Sequence, residues 1–289
     1  MNNGSSNGSG RSPSNLPPLS LSILGVEPLD EFIREVADFI HHMIGQRPEG
    51  ANGVEVEAKV GVLRDKVSGQ RLSLPVLVET TIIPLMFLHI IPIGSWTLQI
   101  QHKHFNTLLN NLKTTSSTPS EMNYAHLHLV DSFYAAPDGR GEKVRVTRDE
   151  KSGAVQACVQ KVRLGSLDIY SPKRAADWRI SVNVEIPVPQ PIGTATHTRK
   201  KDRMSYTHEE FIVDLTQVTS TFGASSKVPP EVLHELEVEL ARPEYLLSTA
   251  AKRGDPNVSE SERGAFDELI RAFVNNARIL VRNSGDGWQ

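Results

Sequence analysis

The stretch Leu233-His234-Glu235-Leu236-Glu237-Val238-Glu239-Leu240 carries a carboxylate at every second residue, with aliphatic residues between. A period of two belongs to an extended strand, so all three glutamates would share one face. Carboxylates about 7 Å apart along a strand repel one another unless cations stand among them, either a metal ion or a row of Lys and Arg. Val54-Glu55-Val56-Glu57-Ala58-Lys59-Val60 repeats the pattern near the start of the chain. Two acidic strands, remote in sequence, are therefore candidates to meet around a divalent cation.

The alternation recurs elsewhere. Arg179, Ser181, Asn183 and Glu185 oppose Trp178, Ile180, Val182 and Val184, while Glu210, Asp214 and Thr216 oppose Phe211, Val213 and Leu215. Strand-like patterns cover 126–134, 143–149, 154–163, 178–186, 197–207, 209–216 and 233–241, after a first strand over 54–62 and a strand-like run ending near Thr81. Helical spacing runs from Pro28 to Ile44 and from Gln99 to Leu112. A last helix starts at Ser259, with Glu262 three residues on as in a capping box, and continues through Leu280. Helix, many antiparallel strands, then helix predicts a mainly β (α+β) fold, a closed or nearly closed barrel with helices packed outside. For a single strand a solvated polar face is the commoner arrangement. External helices, however, need an apolar sheet face, which turns the charged faces inward.

A net charge of −3 argues against general coating of nucleic acid but leaves room for a local basic site, since 31 Lys and Arg stand against 34 Asp and Glu. The single cysteine, Cys158, excludes an intrachain disulfide and points to a reducing compartment. The first 20 residues are rich in Asn, Gly, Ser and Pro and read as a disordered tail without an apolar leader, with the folded domain over 21–289. The most apolar run, Ile82 to Trp96, is broken by Pro84, His89 and Pro92 and is shorter than the roughly 20 residues a span requires, so no membrane segment is expected.

The charged faces divide by sign. Glu55, Glu57, Glu235, Glu237, Glu239 and Asp214 are acidic; Arg145, Lys161, Arg199, Lys201 and Arg203 are basic. A cavity lined by both signs can hold a hard cation and a polyanion together, which suits a phosphate ester or anhydride with Mg²⁺ or Mn²⁺. Hydrolysis there needs a polarised phosphoryl oxygen, cations on the equatorial oxygens and a carboxylate to orient water; Glu185 is the best placed for the water. P-loop, G-x-G-x-x-G and C-x-x-C signatures are absent, Cys158 reads as packing, and the ten histidines show no metal spacing.

Glu55-x-Glu57-x-Lys59, the basic strand Arg199 to Tyr206, and Glu235-x-Glu237-x-Glu239 resemble the three signature motifs of the fungal metal-dependent RNA 5′-triphosphatases of mRNA capping, within the triphosphate tunnel metalloenzymes. Asp131, Lys143 to Val146, Lys161, Asp177 to Ser181 with Glu185, and Asp214 to Thr216 also match, so the resemblance runs over most of 20–282. It implies an eight-stranded antiparallel tunnel that hydrolyses the γ-phosphate of 5′-triphosphate RNA to leave 5′-diphosphate RNA. It further implies that Glu55, Glu57 and Glu239 ligate Mg²⁺ or Mn²⁺, with Glu237 and Asp214 reaching it through water. Arg145, Lys201 and Arg203 would hold phosphates with help from Lys161 and Arg199, Glu185 would position the attacking water, and Glu235 would hold neighbouring basic residues. The implied setting is the nucleus, as a homodimer, beside the mRNA guanylyltransferase and the phosphorylated C-terminal tail of RNA polymerase II. Two features depart from the pattern: Leu85 to Thr97 is apolar where the family carries a charged strand, and no tryptophan-rich docking segment is recognisable. The alternatives are a tunnel hydrolase of inorganic or small-molecule polyphosphate, and a catalytically impaired polyanion-binding scaffold.

Overall fold

The computed structural model describes residues 19–20, 22–25, 30–65, 67–82, 90–94, 99–115, 121–136, 141–222 and 229–285. Most of the expected N-terminal tail, most of the apolar run within 82–100, and most of the loops at 114–120 and 223–230 lie outside these residues. The described residues from Phe32 onward make one compact unit, and the few described before it fall in a second.

The order is α1 (Glu31–Gly45), β1 (Val54–Asp65), β2 (Thr80–Ile82), β3 (Ile90–Gly94), α2 (Gln99–Thr115), β4 (Asn123–Tyr134), β5 (Val144–Asp149), β6 (Val155–Tyr170), β7 (Asp177–Pro187), β8 (His197–His208), β9 (Phe211–Phe222), β10 (Glu231–Leu240), α3 (Pro243–Lys252) and α4 (Glu260–Arg282). Eight strands form a closed antiparallel ring, β10-β9-β8-β4-β5-β6-β7-β1, sealed by pairing of β1 with β10. The apolar departure noted in the sequence leaves this ring intact. The described part of it, β3, pairs with the far end of β1, Val62 opposite Gly94 and Asp65 opposite Ile90. The short β2 extends β6 at Tyr170.

The period-two pattern sets which face is which. Val54, Val56, Ala58 and Val60 of β1 and Trp178, Ile180, Val182 and Val184 of β7 are buried on the outer face of the ring. They join one core with Ile33, Val36, Ala37, Ile40 and Ile44 of α1 and with Phe266, Leu269, Ile270, Phe273 and Val274 of α4. These helical positions recur every three or four residues, giving each helix one apolar stripe to lay on the barrel. The core therefore lies between helices and sheet, and the charged faces turn inward. At Gly165 α1 approaches so closely that an added Cβ would lie 2.3 Å from Met43 Sδ.

β9 runs to Phe222, six residues past its expected end, and β6 and α3 also exceed the sequence expectation. The strand expected to end at residue 163 continues to Tyr170, because a bulge between Arg163 and Gly165 shifts the register against β7 and breaks the alternation. The helix α3 was not anticipated; it opens with Pro243 at its first turn and buries only Leu246, Thr249 and Ala250, too brief a stripe to stand out. In α4 the capping box is formed, with Ser259 accepting from the Glu262 amide.

Candidate active site

The ring encloses a cavity of about 770 Å³. Every residue singled out from the sequence lines it except Asp214: Glu55, Glu57, Arg145, Lys161, Glu185, Arg199, Lys201, Arg203, Glu235, Glu237 and Glu239 are all on its wall. Asp214 is buried on the same inner face, opposite Glu237 in the ladder and bonded at 2.6 Å to Arg203.

Strand register brings the acidic motifs together. Glu57 stands opposite Glu239, and Lys59 opposite Glu237. The Lys59 ammonium lies 2.5 Å from Glu237 and 3.9 Å from Glu57. Burial opposes its charge, yet the two glutamates hold it well above the usual lysine range. Lys161 pairs with Glu55 and stands 3.7 Å from Glu57, and Asn183 donates to Glu55 at 3.1 Å and to Glu57 at 3.3 Å.

Glu237 and Glu239, two residues apart on one strand, have opposite electrostatics. Burial works against the charge of Glu237, but Lys59 and Arg203 outweigh it and pull the carboxyl down to about 2. For Glu239 burial is joined by repulsion from Glu55, Asp214, Glu237 and Glu57, which lifts the carboxyl to about 8. Glu57 is also raised, by burial and by Glu237 and Glu55, against the pull of Lys59 and Lys161. Oxygen donors that repel one another in a desolvated pocket suit a hard divalent cation. Of the three expected direct ligands, Glu55 is paired with Lys161 and Glu57 lies near Lys59 and Lys161, whereas Glu239 has no ion-pair partner among the described residues. Glu235 likewise forms no close ion pair among them; Lys59, Lys201 and Arg199 act on it at longer range.

The opposite wall is cationic. Arg145 bonds Glu185 at 2.7 Å, and Lys201 lies 2.6 Å from Asp131, which also accepts from Thr147 at 2.6 Å. Arg203 reaches Asp214, Thr216 at 3.0 Å and Glu237 at 3.5 Å. Glu185 is placed from both sides. Its amide donates to the Gly53 carbonyl at 2.8 Å, and a Cβ on Gly53 would fall 2.4 Å from the Glu185 carbonyl oxygen, so only glycine admits this approach.

Sequence reasoning gave no site role to Lys59 or Thr147, which line the cavity, or to Asn183, which bonds Glu55 and Glu57, although their alternation with apolar neighbours held the signal. Cys158 faces away from the cavity and donates to the Pro189 carbonyl at 3.6 Å, which agrees with a packing role. The expectation that no histidines have metal spacing needs correction: His126, His128 and Asp202 converge on the outer wall, with ligand atoms within 4.8 Å of one another.

The sequence profile of the family described as "mRNA capping enzyme, beta chain" matches residues 26–285. The chain belongs to this family. The "mRNA-capping enzyme subunit beta" of Cryptococcus neoformans is 37% identical over 275 residues, covering 92% of this chain and 65% of that protein. The protein of the same description in Schizosaccharomyces pombe is 32% identical over 271 residues, covering 92% of this chain and 86% of its own. The chain thus spans just under two thirds of the former and most of the latter. Among solved structures, the S. pombe RNA triphosphatase Pct1 superposes with a TM-score of 0.79 at 31% identity, covering 93% of this chain and 99% of Pct1. Pct1 in complex with the Spt5 CTD gives a TM-score of 0.80. The likeness to Pct1 accords with the barrel and its external helices.

Proposed function

We propose that the chain is an mRNA-capping RNA 5′-triphosphatase, a polynucleotide 5′-phosphatase that cleaves the γ-phosphate of triphosphate-ended RNA and leaves a 5′-diphosphate. One observation carries this reading: one cavity within the ring presents a carboxylate cluster on β1 and β10 together with cationic groups from β5, β6 and β8. A triphosphate needs both walls, and no smaller part of the chain supplies them.

Glu55, Glu57 and Glu239 would hold Mg²⁺ or Mn²⁺, with Glu237 and Asp214 reaching it through water. When bound, the ion polarises the γ-phosphoryl oxygens and offsets charge as the anhydride breaks. Arg145, Lys201 and Arg203 neutralise the equatorial and bridging oxygens, assisted by Lys161 and Arg199. Glu185 accepts a hydrogen bond from the attacking water and aims it in line with the leaving diphosphate. The anchor at the Gly53 carbonyl and the Arg145 contact fix its carboxylate for that task. Lys59 and Lys161 pair with these glutamates; carboxylates that took the ion would release them, leaving both ammonium groups for phosphate.

The partners follow from the same reading: nascent 5′-triphosphate RNA as substrate, a guanylyltransferase to cap the diphosphate product, the phosphorylated polymerase tail, a second copy of this chain, and nuclear residence. The Spt5 complex of Pct1 supports attachment to the transcription machinery. No described helix is long and apolar enough to cross a membrane. Release of γ-labelled phosphate from triphosphate RNA, compared with release from inorganic tripolyphosphate, tests the assignment. Faster turnover of the RNA end supports it; indifference to RNA overturns it in favour of a general polyphosphatase.

A further inference from the structure

We infer that the outer wall of the barrel carries a second metal site, built from His126, His128 and Asp202, for a borderline-soft divalent transition ion such as Zn²⁺. The residues come from two adjacent strands. His126 and His128 are separated by one residue on β4, so their rings project from the same, outward face, with centroids 4.5 Å apart. Asp202 of β8 stands directly opposite His128 in the ladder. Its Oδ1 lies 2.5 Å from His126 Nε2 and 3.8 Å from His128 Nδ1. The neighbours in sequence, Asp131 on β4 with Lys201 and Arg203 on β8, face the interior, so the strand separates this trio from the cavity.

Tetrahedral zinc with bonds near 2 Å places its ligand atoms about 3.3 Å apart. The three ligand atoms already lie within 4.8 Å of one another, so adjustments of about 1.5 Å or less reach that spacing. The side chains are between about a third and a half exposed, which gives an ion access and leaves a coordination position for water. Lys200, two residues from Asp202 on the same face, is bonded at 3.1 Å to Glu150, whose amide donates to the His128 carbonyl at 2.9 Å. Its charge is thereby offset beside the site.

Ligand chemistry separates the two metals. The cavity offers carboxylate oxygens to a hard cation, whereas two imidazoles and a carboxylate favour Zn²⁺, Cu²⁺ or Ni²⁺ over Mg²⁺. A metal here would clip β4 to β8, the two strands that carry Asp131, Lys201 and Arg203 on their inner faces.

Zinc titration by calorimetry of the full chain, free of any histidine tag and in saturating Mg²⁺, tests the inference, with H126A/H128A and D202N as comparisons. Wild type is expected to bind one Zn²⁺ that the double variant does not, and D202N to bind it at least about tenfold more weakly. The bound ion should raise the melting temperature of wild type and leave that of H126A/H128A unchanged. Mg²⁺-dependent phosphate release should be the same in both, which separates this site from the cavity. Equal zinc stoichiometry and affinity in wild type and H126A/H128A, or no zinc uptake by wild type, would overturn the inference and leave only a His126–Asp202 surface hydrogen bond.

Discussion

Glu237 and Glu239 differ in what surrounds them, and that difference assigns them different parts. Lys59 and Arg203 satisfy Glu237, whereas Glu239 is buried facing four other carboxylates, which together lift it to about 8. A folded-state value raised above the usual 4.5 stabilises the fold below pH 4.5 and loses that contribution as pH rises through about 8. In EDTA, Glu239→Gln should therefore melt above wild type at pH 8, with the gap closing toward pH 5; a gap that does not change with pH contradicts the strained-carboxylate account. The same variant, and Glu57→Gln, should lose about two or more orders of magnitude in metal-dependent turnover. Gly53→Ala should push on the Glu185 carbonyl, costing about 1–3 kcal/mol by overpacking and lowering kcat more than metal affinity. Period-two alternation made Glu55, Glu57, Glu185 and the β10 glutamates visible in the sequence. It could not say that Lys59 would be clamped by Glu237, because that depends on the register between β1 and β10. The His126, His128 and Asp202 trio escaped for the same reason, since its third member comes from another strand.

At the level of elements, the helices turn the charged faces inward and are themselves held by a few polar contacts. The Tyr206 hydroxyl of β8 donates to Asn106 of α2 at 2.6 Å, and His102 packs edge-on to His234 of β10 at 5.1 Å. Burial, with the neighbouring His234, lowers the His102 imidazole to about 4. Folded His102 is thus neutral where the unfolded chain, near 6.5, takes up a proton, so its contribution is whole above pH 6.5 and falls as pH drops toward 4. His102→Gln should flatten that limb of the stability curve; an unchanged slope between pH 6.5 and 4 in chemical denaturation would contradict it. Ser259→Ala removes the α4 cap and should cost about 1 kcal/mol. The α4 start was legible because Ser259 and Glu262 stand at capping-box spacing. The full length of β6 was not, because the bulge at Arg163 to Gly165 reverses which residues face inward.

Across the whole molecule, closure of eight strands is what converts scattered charges into one site. Three of the strands supplying opposing walls, β1, β8 and β10, are far apart in sequence, and only the ring brings Glu57 against Glu239 and sets Arg203 beside Glu237. The fold class could be read in advance because helices outside a barrel require the apolar alternation to face out. The apolar departure at 85–97 gave no guide to closure, since the pairing of β1 with β10 completes the ring independently of it. Membership of the capping-enzyme β family agrees with this architecture, and the central claim is that its mixed-charge cavity removes a terminal phosphate from RNA. The most direct measurement is single-turnover release of γ-labelled phosphate from triphosphate-ended RNA with Mn²⁺ or Mg²⁺, for wild type, Glu57→Gln and Glu239→Gln. The account predicts metal-dependent release by wild type, diphosphate-ended RNA as product, and near-complete loss in both variants. Equal release by all three proteins, or release that persists without a divalent ion, would contradict it.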